Sequence, residues 1–328
     1  MVKGIKVHQV GGPEVLKWED IEVKEPGEGE VKVKHTAVGV NYIDVNYRNG
    51  AYSTSTPFIP GFEAAGVVTA VGPGLTGLKV GDRVAYAGSL GSYTEEKIIS
   101  ADKLVPLPSS VDDVMAASIM LKGMTAQMLL LRVFKVKKGH KIFVHAAAGG
   151  VGSLLVQWAK ALGATVIAAV SNEEKAAQAK EDGADHVIIY SQQNFVDRVK
   201  EITEGAGVDV VYDAVGKDTL LGSLECLGLR GYLVNYGQAS GPPDPLPISA
   251  LQPKSLFLTR PSLFHYVRIR EELLEAAGEL FAAVATGIIK IRTNHIYRLS
   301  EAAKAHADLE GRKTMGSCVL IPDSYHSP

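Results

Sequence analysis

The chain has 328 residues, of which 46% are hydrophobic and 21% charged, a composition that favours folded domains with sizeable cores over a disordered chain. Its 34 basic and 36 acidic residues give a formal net charge of −2, which excludes the bulk basicity typical of nucleic-acid-binding proteins. Only two cysteines are present, so a disulfide framework and a four-cysteine zinc lobe within one chain are also excluded.

The length predicts two domains, because one domain usually takes about 100–200 residues. The N-terminal residues lack the apolar stretch of a signal peptide, and no run approaches the roughly 18 uncharged apolar residues of a membrane span. We therefore expect a soluble, cytoplasmic protein that does not bind a membrane. The last residues, SYHSP, carry no addressing motif and are expected to form a frayed end.

Short β-like runs separated by glycine and proline fill the chain from residue 4 to about residue 107. These runs are KVHQV, EVKVKHTAVGV, EAAGVVTAVG, DRVAYAG and YTEEKIIS. Runs of this length and spacing predict a mostly antiparallel, barrel-like region.

Near residue 139 the pattern changes to short apolar runs that alternate with amphipathic stretches. The apolar runs are KIFVHA, TVIAAV, HVIIY, VDVVYDAV and GYLVNYG, and SLFLT at 255–259 would add a sixth strand. This alternation predicts right-handed βαβ units and a doubly wound parallel sheet.

The remaining residues predict a long helix, LFHYVRIREELLEAAGELFAAVATG, and then strand, helix and strand between residues 288 and 321. Residues 239–247, ASGPPDPLP, are expected to form a loop beside the end of the sheet. We predict that the parallel-sheet domain, residues 122–258, is inserted into a first domain made of residues 1–121 and 259–328.

The turn HAAAGGVG, residues 145–152, carries small residues in the register Ala147-x-Gly149-x-x-Gly152. A dinucleotide-binding turn reads G-x-G-x-x-G, where the second glycine lets a pyrophosphate approach and the third lets the helix pack on the strand. Ala147 departs from the pattern, but both later glycines remain. The turn follows a strand and precedes a helix whose N-terminus favours phosphate, so we predict dinucleotide binding rather than an empty tight turn.

The end of the second parallel strand indicates which dinucleotide binds. NAD-preferring sites carry an acidic residue about 20 positions after the glycine-rich turn. Here the residue nineteen positions after Gly152 is Ser171, and Lys175 lies four residues beyond it. A carboxylate about 4 Å from a 2′-phosphate would cost about 4 kcal/mol at an effective dielectric of about 20. The cofactor is therefore predicted to be NADPH. Ser171-x-x-Glu174 also matches a helix capping box, a compatible role. Tyr190, at the end of the third strand, is a candidate to flank the adenosine ribose that carries the 2′-phosphate, although a half-buried strand-end tyrosine is the commoner case.

Metal ligands and nucleophiles are not evident in the sequence. Zinc alcohol dehydrogenases of this plan commonly carry Gly-His-Glu in the first domain, where this chain reads Gly61-Phe62-Glu63. His145 is expected to be a strand-end residue and Cys226 a buried thiol. We predict a metal-free site whose chemistry comes from the cofactor.

Several separated segments resemble the zinc-free medium-chain reductases, and among them the NADPH:quinone oxidoreductases that include zeta-crystallin. The matching segments are GVNYIDVNYRNGAY (39–52), LKGMT (121–125), GHKIFVHAAAGGVGSLLVQWAK (139–160), TRPSL (259–263) and GRKTMGSCVLIP (311–322). The resemblance implies an α/β protein in which a GroES-like β-barrel catalytic domain carries an inserted doubly wound Rossmann domain. Relatives are often homodimers, which is the expectation here.

The resemblance also implies roles for particular residues. Asn41, Asp44 and Tyr52 would line the catalytic pocket. The cofactor would contact Thr125, Gly149, Gly150, Val151, Ser171, Lys175, Tyr190, Tyr236 and Arg312. By sequence alone, Arg312 and Lys313 would be a surface pair, and Tyr42, Tyr47 and Tyr52 ordinary strand aromatics. Asn46 stands where relatives can have a tyrosine, with Tyr47 beside it.

The activity implied is metal-free hydride transfer from NADPH to a quinone, in which the Asn41 amide and the Tyr52 hydroxyl donate to a carbonyl oxygen. A second hypothesis is reduction of a 2-alkenal or enone by the same cofactor. A third is an NADPH-binding structural or RNA-binding protein, as the zeta-crystallins suggest, although the charge of −2 makes nucleic acid an unfavoured partner.

Overall fold

The computed structural model describes residues 1–325, and the chain divides into two compact units. Unit 1 contains Met1–Met124, Val267–Phe281 and the residues from Ile291 onward. Unit 2 contains Thr125–Tyr266 and Ala282–Lys290. The end of the expected frayed tail, residues 326–328, lies outside the described residues, and the domain boundaries stay a prediction.

The elements follow in chain order. The strands are β1 (Val2–Val7), β2 (Leu16–Ile21), β3 (Glu30–Val40), β4 (Glu63–Val71), β5 (Arg83–Ala87), β6 (Glu96–Ser100), β7 (Val105–Pro106), β8 (Lys141–Val144), β9 (Thr165–Val170), β10 (His186–Ile189), β11 (Val208–Asp213), β12 (Leu227–Asn235), β13 (Phe257–Thr259), β14 (Thr293–Arg298) and β15 (Ser317–Ile321). The helices are α1 (Tyr42–Arg48), α2 (Asp113–Gln127), α3 (Gly150–Ala161), α4 (Glu173–Glu181), α5 (Phe195–Ile202), α6 (Leu220–Cys226), α7 (Leu263–Tyr266), α8 (Arg270–Ala285) and α9 (Ala302–Glu310). Short 3₁₀ segments cover Pro13–Val15, Ala101–Lys103, Ile248–Lys254 and Leu299–Glu301, and a π-helical segment, Met128–Val133, continues α2.

Unit 1 is built on a seven-stranded sheet in the order β14-β15-β3-β4-β5-β7, with β6 also paired to β3. Every pair in it is antiparallel except β14 with β15. The C-terminal strand β15 pairs with the central strand β3, as Cys318 opposite Val40 illustrates. Valines and alanines of β3 and β4 belong to the buried core. Because β15 pairs with β3, the segments before and after unit 2 share one sheet.

Unit 2 is a six-stranded sheet in the order β10-β9-β8-β11-β12-β13, and all its pairs are parallel. Counted along the chain this is the 3-2-1-4-5-6 order of a doubly wound nucleotide-binding sheet. Its strands read as continuous apolar runs because both faces are covered by helices, and Ile142, Phe143 and Val144 of β8 are fully buried. The predicted α/β fold class is confirmed.

Two helices differ from the sequence prediction. Helix α2 was not anticipated, because it is apolar on all sides and shows no amphipathic period. The long helix expected after β13 is instead two helices, α7 and α8, separated at Val267–Ile269. Two β-branched residues in this interval lower its helix propensity, and the interruption falls where the chain passes from unit 2 to unit 1.

The segment Asp113–Val133 has the length and mean hydropathy of a membrane-crossing helix. However, 78% of its most apolar window is buried inside the protein. A core helix has this property, and the segment also carries Lys122 and Arg132. The expectation of a chain without a membrane span is therefore retained.

Candidate active site

The predicted pocket residues Asn41 and Asp44 lie at the start of α1, directly after β3. Asn41 is the N-cap residue, and its backbone N–H donates to Oδ2 of Asp44 over 2.9 Å. Both side chains are buried, Asn41 at 5% exposure and Asp44 at 0%. The spacing of three residues thus places them together, because an acid at the third helical position can reach back to the capping residue.

A buried ion pair holds the amide of Asn41. Its Nδ2 donates to Oε2 of Glu63 over 2.8 Å, and Nζ of Lys122 lies 3.2 Å from the same oxygen. The other carboxylate oxygen accepts the backbone N–H of Leu121 over 2.7 Å. Because both charged groups are almost fully buried, the pair and its hydrogen bonds compensate the cost of removing them from water.

The carboxyl of Asp44 has a pKa well above the usual value for an aspartate. Burial raises the pKa of its carboxyl to about 7, although the Asn41 N–H, the Tyr93 hydroxyl and the Lys122 ammonium act to lower it. The charge of Glu63 adds a smaller upward effect on the same pKa. Oδ2 accepts two hydrogen bonds, whereas Oδ1 is buried without a hydrogen-bond partner among the described residues. The carboxyl can therefore change its charge near neutral pH.

Aromatic rings pack beside α1. Tyr47 lies edge-on to Tyr52, with 5.6 Å between ring centroids, and 5.0 Å from the ring of Phe62. The expectation that Tyr42, Tyr47 and Tyr52 are strand aromatics is wrong. The first two belong to α1 and Tyr52 follows it, because the capped turn at Asn41 ends the strand. Asn46 is buried, and the aromatic ring next to it in the chain belongs to Tyr47.

The residues of unit 1 do not fit a zinc ion. Phe62 has no ligand atom, and the oxygens of Glu63 already accept N–H groups that include an ammonium. Within residues 1–325, no group of three His, Cys, Asp or Glu side chains is arranged to hold a metal. The metal-free site nevertheless stays a prediction.

The glycine-rich turn of unit 2 joins β8 to α3, with Gly149 as the N-cap and Gly150 and Val151 in the first turn. A Cβ on Gly152 would overlap the Ala146 carbonyl oxygen, so this position requires glycine for the helix to pack on the turn. The positive φ of the turn, 50°, falls on Ala146 and not on Ala147. This explains why alanine is accepted at the first position of the motif.

Three of the predicted cofactor residues meet where β9 ends. Ser171 directly follows β9, and Lys175 lies in the first turn of α4. The backbone N–H of Tyr190 donates to the carbonyl of Val170 over 3.0 Å, which brings the tyrosine beside Ser171. No acidic residue occupies the end of β9 itself, although Glu173 begins the next helix.

The predicted capping box at Ser171 is wrong. Asn172 is the N-cap of α4, and its side-chain oxygen accepts the backbone N–H of Lys175 over 2.9 Å. Asparagine is among the preferred N-cap residues, so the helix begins one residue later than predicted. Ser171 therefore lies just before the cap.

The other predicted cofactor residues are distributed over both units. Thr125 is buried in α2, and Tyr236 follows β12, where its backbone N–H donates to the carbonyl of Asp213 over 2.9 Å. Burial, with the Asp213 charge, raises the pKa of the Tyr236 hydroxyl. Arg312 is exposed in unit 1, in a turn after α9 with a φ of 57°.

The chain is similar to known proteins over nearly its whole length. A 2-haloacrylate reductase from Burkholderia sp. is 47% identical, covering 99% of this chain and 100% of that protein. A quinone oxidoreductase from Pseudomonas aeruginosa is 47% identical, covering 98% and 100%. The solved structure of Escherichia coli quinone oxidoreductase complexed with NADPH superposes with a TM-score of 0.95 at 45% identity, covering 98% and 100%.

The chain belongs to the quinone oxidoreductase family. Two family models agree with this placement. The alcohol dehydrogenase GroES-like domain matches residues 27–109 and the zinc-binding dehydrogenase model matches residues 150–283. The resemblance to the medium-chain reductases and the fold that it implied are both confirmed. The zinc-binding dehydrogenase model does not cover the Gly61-Phe62-Glu63 triplet, where this quinone oxidoreductase family member departs from the zinc pattern.

Several residues that shape both sites in this family member had no role predicted from the sequence. In unit 1 these are Lys122, Tyr93, His306 and Arg48. In unit 2, Asp213 at the end of β11 accepts the N–H groups of Val215 and Gly216, and the Ser223 hydroxyl links it to His145. The sequence signal that could have found one of them is a charged residue within an apolar segment, as for Lys122 in α2. His145 is buried at a strand end, as expected.

Proposed function

We propose that this protein is an NADPH-dependent quinone oxidoreductase that transfers a hydride without a metal. Support comes from relatives of full length, named quinone oxidoreductases, at 45–47% identity, one of which has been crystallised with NADPH. The observation that carries the proposal is the end of β9, where Ser171 and Lys175 stand and an acidic residue is absent. A strand end without an acid suits the 2′-phosphate of NADPH.

The residues of unit 2 fit the cofactor. Gly149 and Gly150 open a helix N-terminus whose N–H groups and dipole favour a pyrophosphate. Ser171, Lys175 and Tyr190 would hold the phosphorylated ribose, with further contacts from Val151, Thr125, Tyr236 and Arg312. When bound, NADPH supplies the hydride.

The residues of unit 1 bind and polarise the substrate. Glu63 occupies one N–H of the Asn41 amide, and an amide has two. The second N–H and the Tyr52 hydroxyl donate to the quinone oxygen on which negative charge develops. Holding the two reactants in contact lowers the barrier by about 7–11 kcal/mol, so a strong acid is not required. Asp44 lies beside Asn41, and its neutral form favours the developing negative charge.

A titration with NADPH and NADH, followed by a quinone panel in the presence of a chelator, tests the proposal. We expect NADPH to bind at least tenfold more tightly than NADH, and 1,4-benzoquinone reduction to persist after chelation. Equal affinity for the two cofactors, or an activity that is lost on chelation and restored by Zn²⁺, would contradict it. Unchanged quinone turnover in a Tyr52→Phe variant would remove Tyr52 from the mechanism.

A second candidate is reduction of a polarised C=C bond in an enone, a 2-alkenal or a 2-haloacrylate. The 47% identical reductase from Burkholderia sp. favours it, because that protein is named for such a substrate. The same hydride donor and the same oxygen-binding groups would serve a conjugated carbonyl. Parallel kcat/KM measurements with a quinone and with 2-chloroacrylate distinguish the two functions.

We also infer the setting of the activity. The protein is proposed to act in the cytoplasm as a homodimer on a small-molecule quinone, without a nucleic acid or a membrane. The catalytic domain is proposed to comprise residues 1–121 and 259–328, and the NADP-binding domain residues 122–258. Light scattering of the purified chain measures the oligomeric state.

A further inference from the structure

A chain of hydrogen bonds links Asp44 to the surface of unit 1. The Tyr93 hydroxyl donates to Oδ2 of Asp44 over 2.9 Å, and Nε2 of His306 lies 2.9 Å from the Tyr93 oxygen. Nδ1 of His306 lies 3.3 Å from a terminal nitrogen of Arg48. Arg48 in turn makes two 2.7 Å hydrogen bonds to Glu310, whose side chain is 30% exposed. Two buried side chains, Tyr93 and His306, therefore separate Asp44 from the partly exposed Arg48–Glu310 ion pair.

Along this series of hydrogen bonds, each group donates towards Asp44. A guanidinium has no acceptor atom, so Arg48 must donate to Nδ1 of His306. A neutral imidazole that accepts at Nδ1 carries its proton on Nε2, and so donates to the Tyr93 oxygen. Tyr93 then has its own proton available for the carboxylate. Burial, and the nearby Arg48 charge, lower the pKa of His306 to about 3, which keeps the ring neutral at pH 7.

The two oxygens of Asp44 consequently differ. Oδ2 accepts from Tyr93 and from the backbone of Asn41, whereas Oδ1 is buried without a hydrogen-bond partner among residues 1–325. A proton on Oδ1 leaves both hydrogen bonds to Oδ2 intact. The carboxyl can therefore gain or lose its proton without reorganisation of α1.

We propose that Tyr93, His306 and Arg48 are positioning residues that pin Oδ2 of Asp44 and leave Oδ1 as the oxygen that carries the proton when the carboxyl is neutral. The proposal rests on the proposed function in one respect, namely that Asp44 borders the substrate. It goes beyond that function by assigning a role to α9 and to the loop before β6, which carry His306 and Tyr93.

Other charges face the same groups. Lys122 and Glu63 act on Asp44 with opposite signs, and Cys318 and Arg48 act on Tyr93. Burial and the Asp44 charge raise the pKa of the Tyr93 hydroxyl, so Tyr93 stays a donor throughout the working range. Of these groups, Tyr93 is the one whose side chain touches both His306 and the titrating carboxyl.

The test measures the pKa of Asp44 directly, by carbon-13 NMR of protein labelled at the aspartate carboxyl, with the signal assigned from an Asp44→Asn variant. We expect titration near pH 7 in the wild type. Loss of the donor to the charged form in Tyr93→Phe should raise the pKa by about one pH unit or more. The matched control is Tyr297→Phe, which removes a 3.0 Å hydrogen bond to Asp308 in the same unit. The proposal is overturned if both variants leave Asp44 unchanged.

Two further measurements complete the test. If Tyr93→Phe does not fold, nitrogen-15 spectra of the wild-type imidazoles decide, since His306 should stay neutral with its proton on Nε2 from pH 5 to pH 9. A proton on Nδ1 would overturn the proposal. The pH profile of quinone reduction distinguishes the effect of the hydrogen bonds on Asp44 from the role of Asp44 beside the substrate. If the NMR pKa moves in Tyr93→Phe and the profile does not, the hydrogen-bond chain stands and the substrate role of Asp44 fails.

Discussion

Ser171 and Lys175 are the residues on which the proposed preference for NADPH depends. Both lie at the end of β9, where the protein would contact the hydroxyls or the 2′-phosphate of the adenosine ribose. The helix cap is supplied by Asn172, so Ser171 is not needed for it. The proposed role of Ser171 in the choice of cofactor is therefore independent of the helix cap.

At the residue scale we predict that Lys175→Glu removes the preference for NADPH over NADH. A carboxylate about 4 Å from a 2′-phosphate costs about 4 kcal/mol before solvent screening, so the NADPH dissociation constant should rise at least tenfold, while that for NADH changes by less than about threefold. Lys180→Glu, an exposed position on the same helix, is the control with the same charge change. Equal weakening of NADPH binding in both variants would show that only the net charge matters. Fluorescence titration provides both constants.

The turn between β8 and α3 shows what an element requires of its glycines. Gly149 and Gly152 lie in one motif, but they meet different surroundings. A Cβ on Gly152 would overlap the carbonyl of Ala146, whereas a Cβ on Gly149 would lie 3.2 Å from the same oxygen, a contact that a small shift relieves. The first glycine faces the proposed phosphate site, and the second lets the helix pack on the strand.

At the element scale we predict different effects for two alanine substitutions, one on stability and the other on cofactor binding. Gly152→Ala should lower the free energy of unfolding by about 2 kcal/mol or more, because the helix must move away from the turn. Gly149→Ala should leave unfolding within about 1 kcal/mol of the wild type and raise the NADPH dissociation constant. Urea denaturation and cofactor titration on both variants check this. Equal stability of the two would contradict the assignment of the packing role to Gly152.

Across unit 1 as a whole, buried titratable groups set how stability depends on pH. Burial lowers the pKa of His35 to about 4, and Nδ1 of its ring donates to the Thr94 carbonyl over 2.6 Å. The pKa of His306 is lowered further, to about 3, by burial and by Arg48. Asp44 has the opposite shift, with a pKa raised to about 7. The histidines therefore favour the folded state at neutral pH, and Asp44 favours it in mild acid.

We predict that the urea midpoint of the wild type is lower at pH 5 than at pH 7. Below about pH 6.5 the unfolded histidines bind protons and the folded ones do not. This difference lowers the free energy of unfolding by about 2 kcal/mol for each ring at pH 5. Asp44 offsets part of this loss, because its folded form binds a proton between about pH 4 and pH 7 and its unfolded form does not. Asp44→Asn should therefore steepen the loss between pH 7 and pH 5. An unchanged slope in that variant would mean that Asp44 titrates normally in the folded protein.

Local patterns predicted much of unit 2 and less of unit 1. The parallel strands were visible because burial on both faces produces continuous apolar runs, and the glycine turn because its spacing is local. Strand β2 and helix α2 were missed, the helix because an element buried on all sides has no amphipathic period. The cap at Asn172 was misplaced by one residue, since two adjacent polar residues both suit that position.

The sequence by itself determined the doubly wound sheet, the glycine turn, the acid-free end of β9 and the lack of a histidine beside Glu63, since each is written in neighbouring residues. Only the tertiary structure decided the surroundings of Asp44. Tyr93 is 49 residues away from it, and His306 is 213 residues from Tyr93. Such contacts depend on how β15 and α9 return to β3 after the whole of unit 2, and no local periodicity encodes that return.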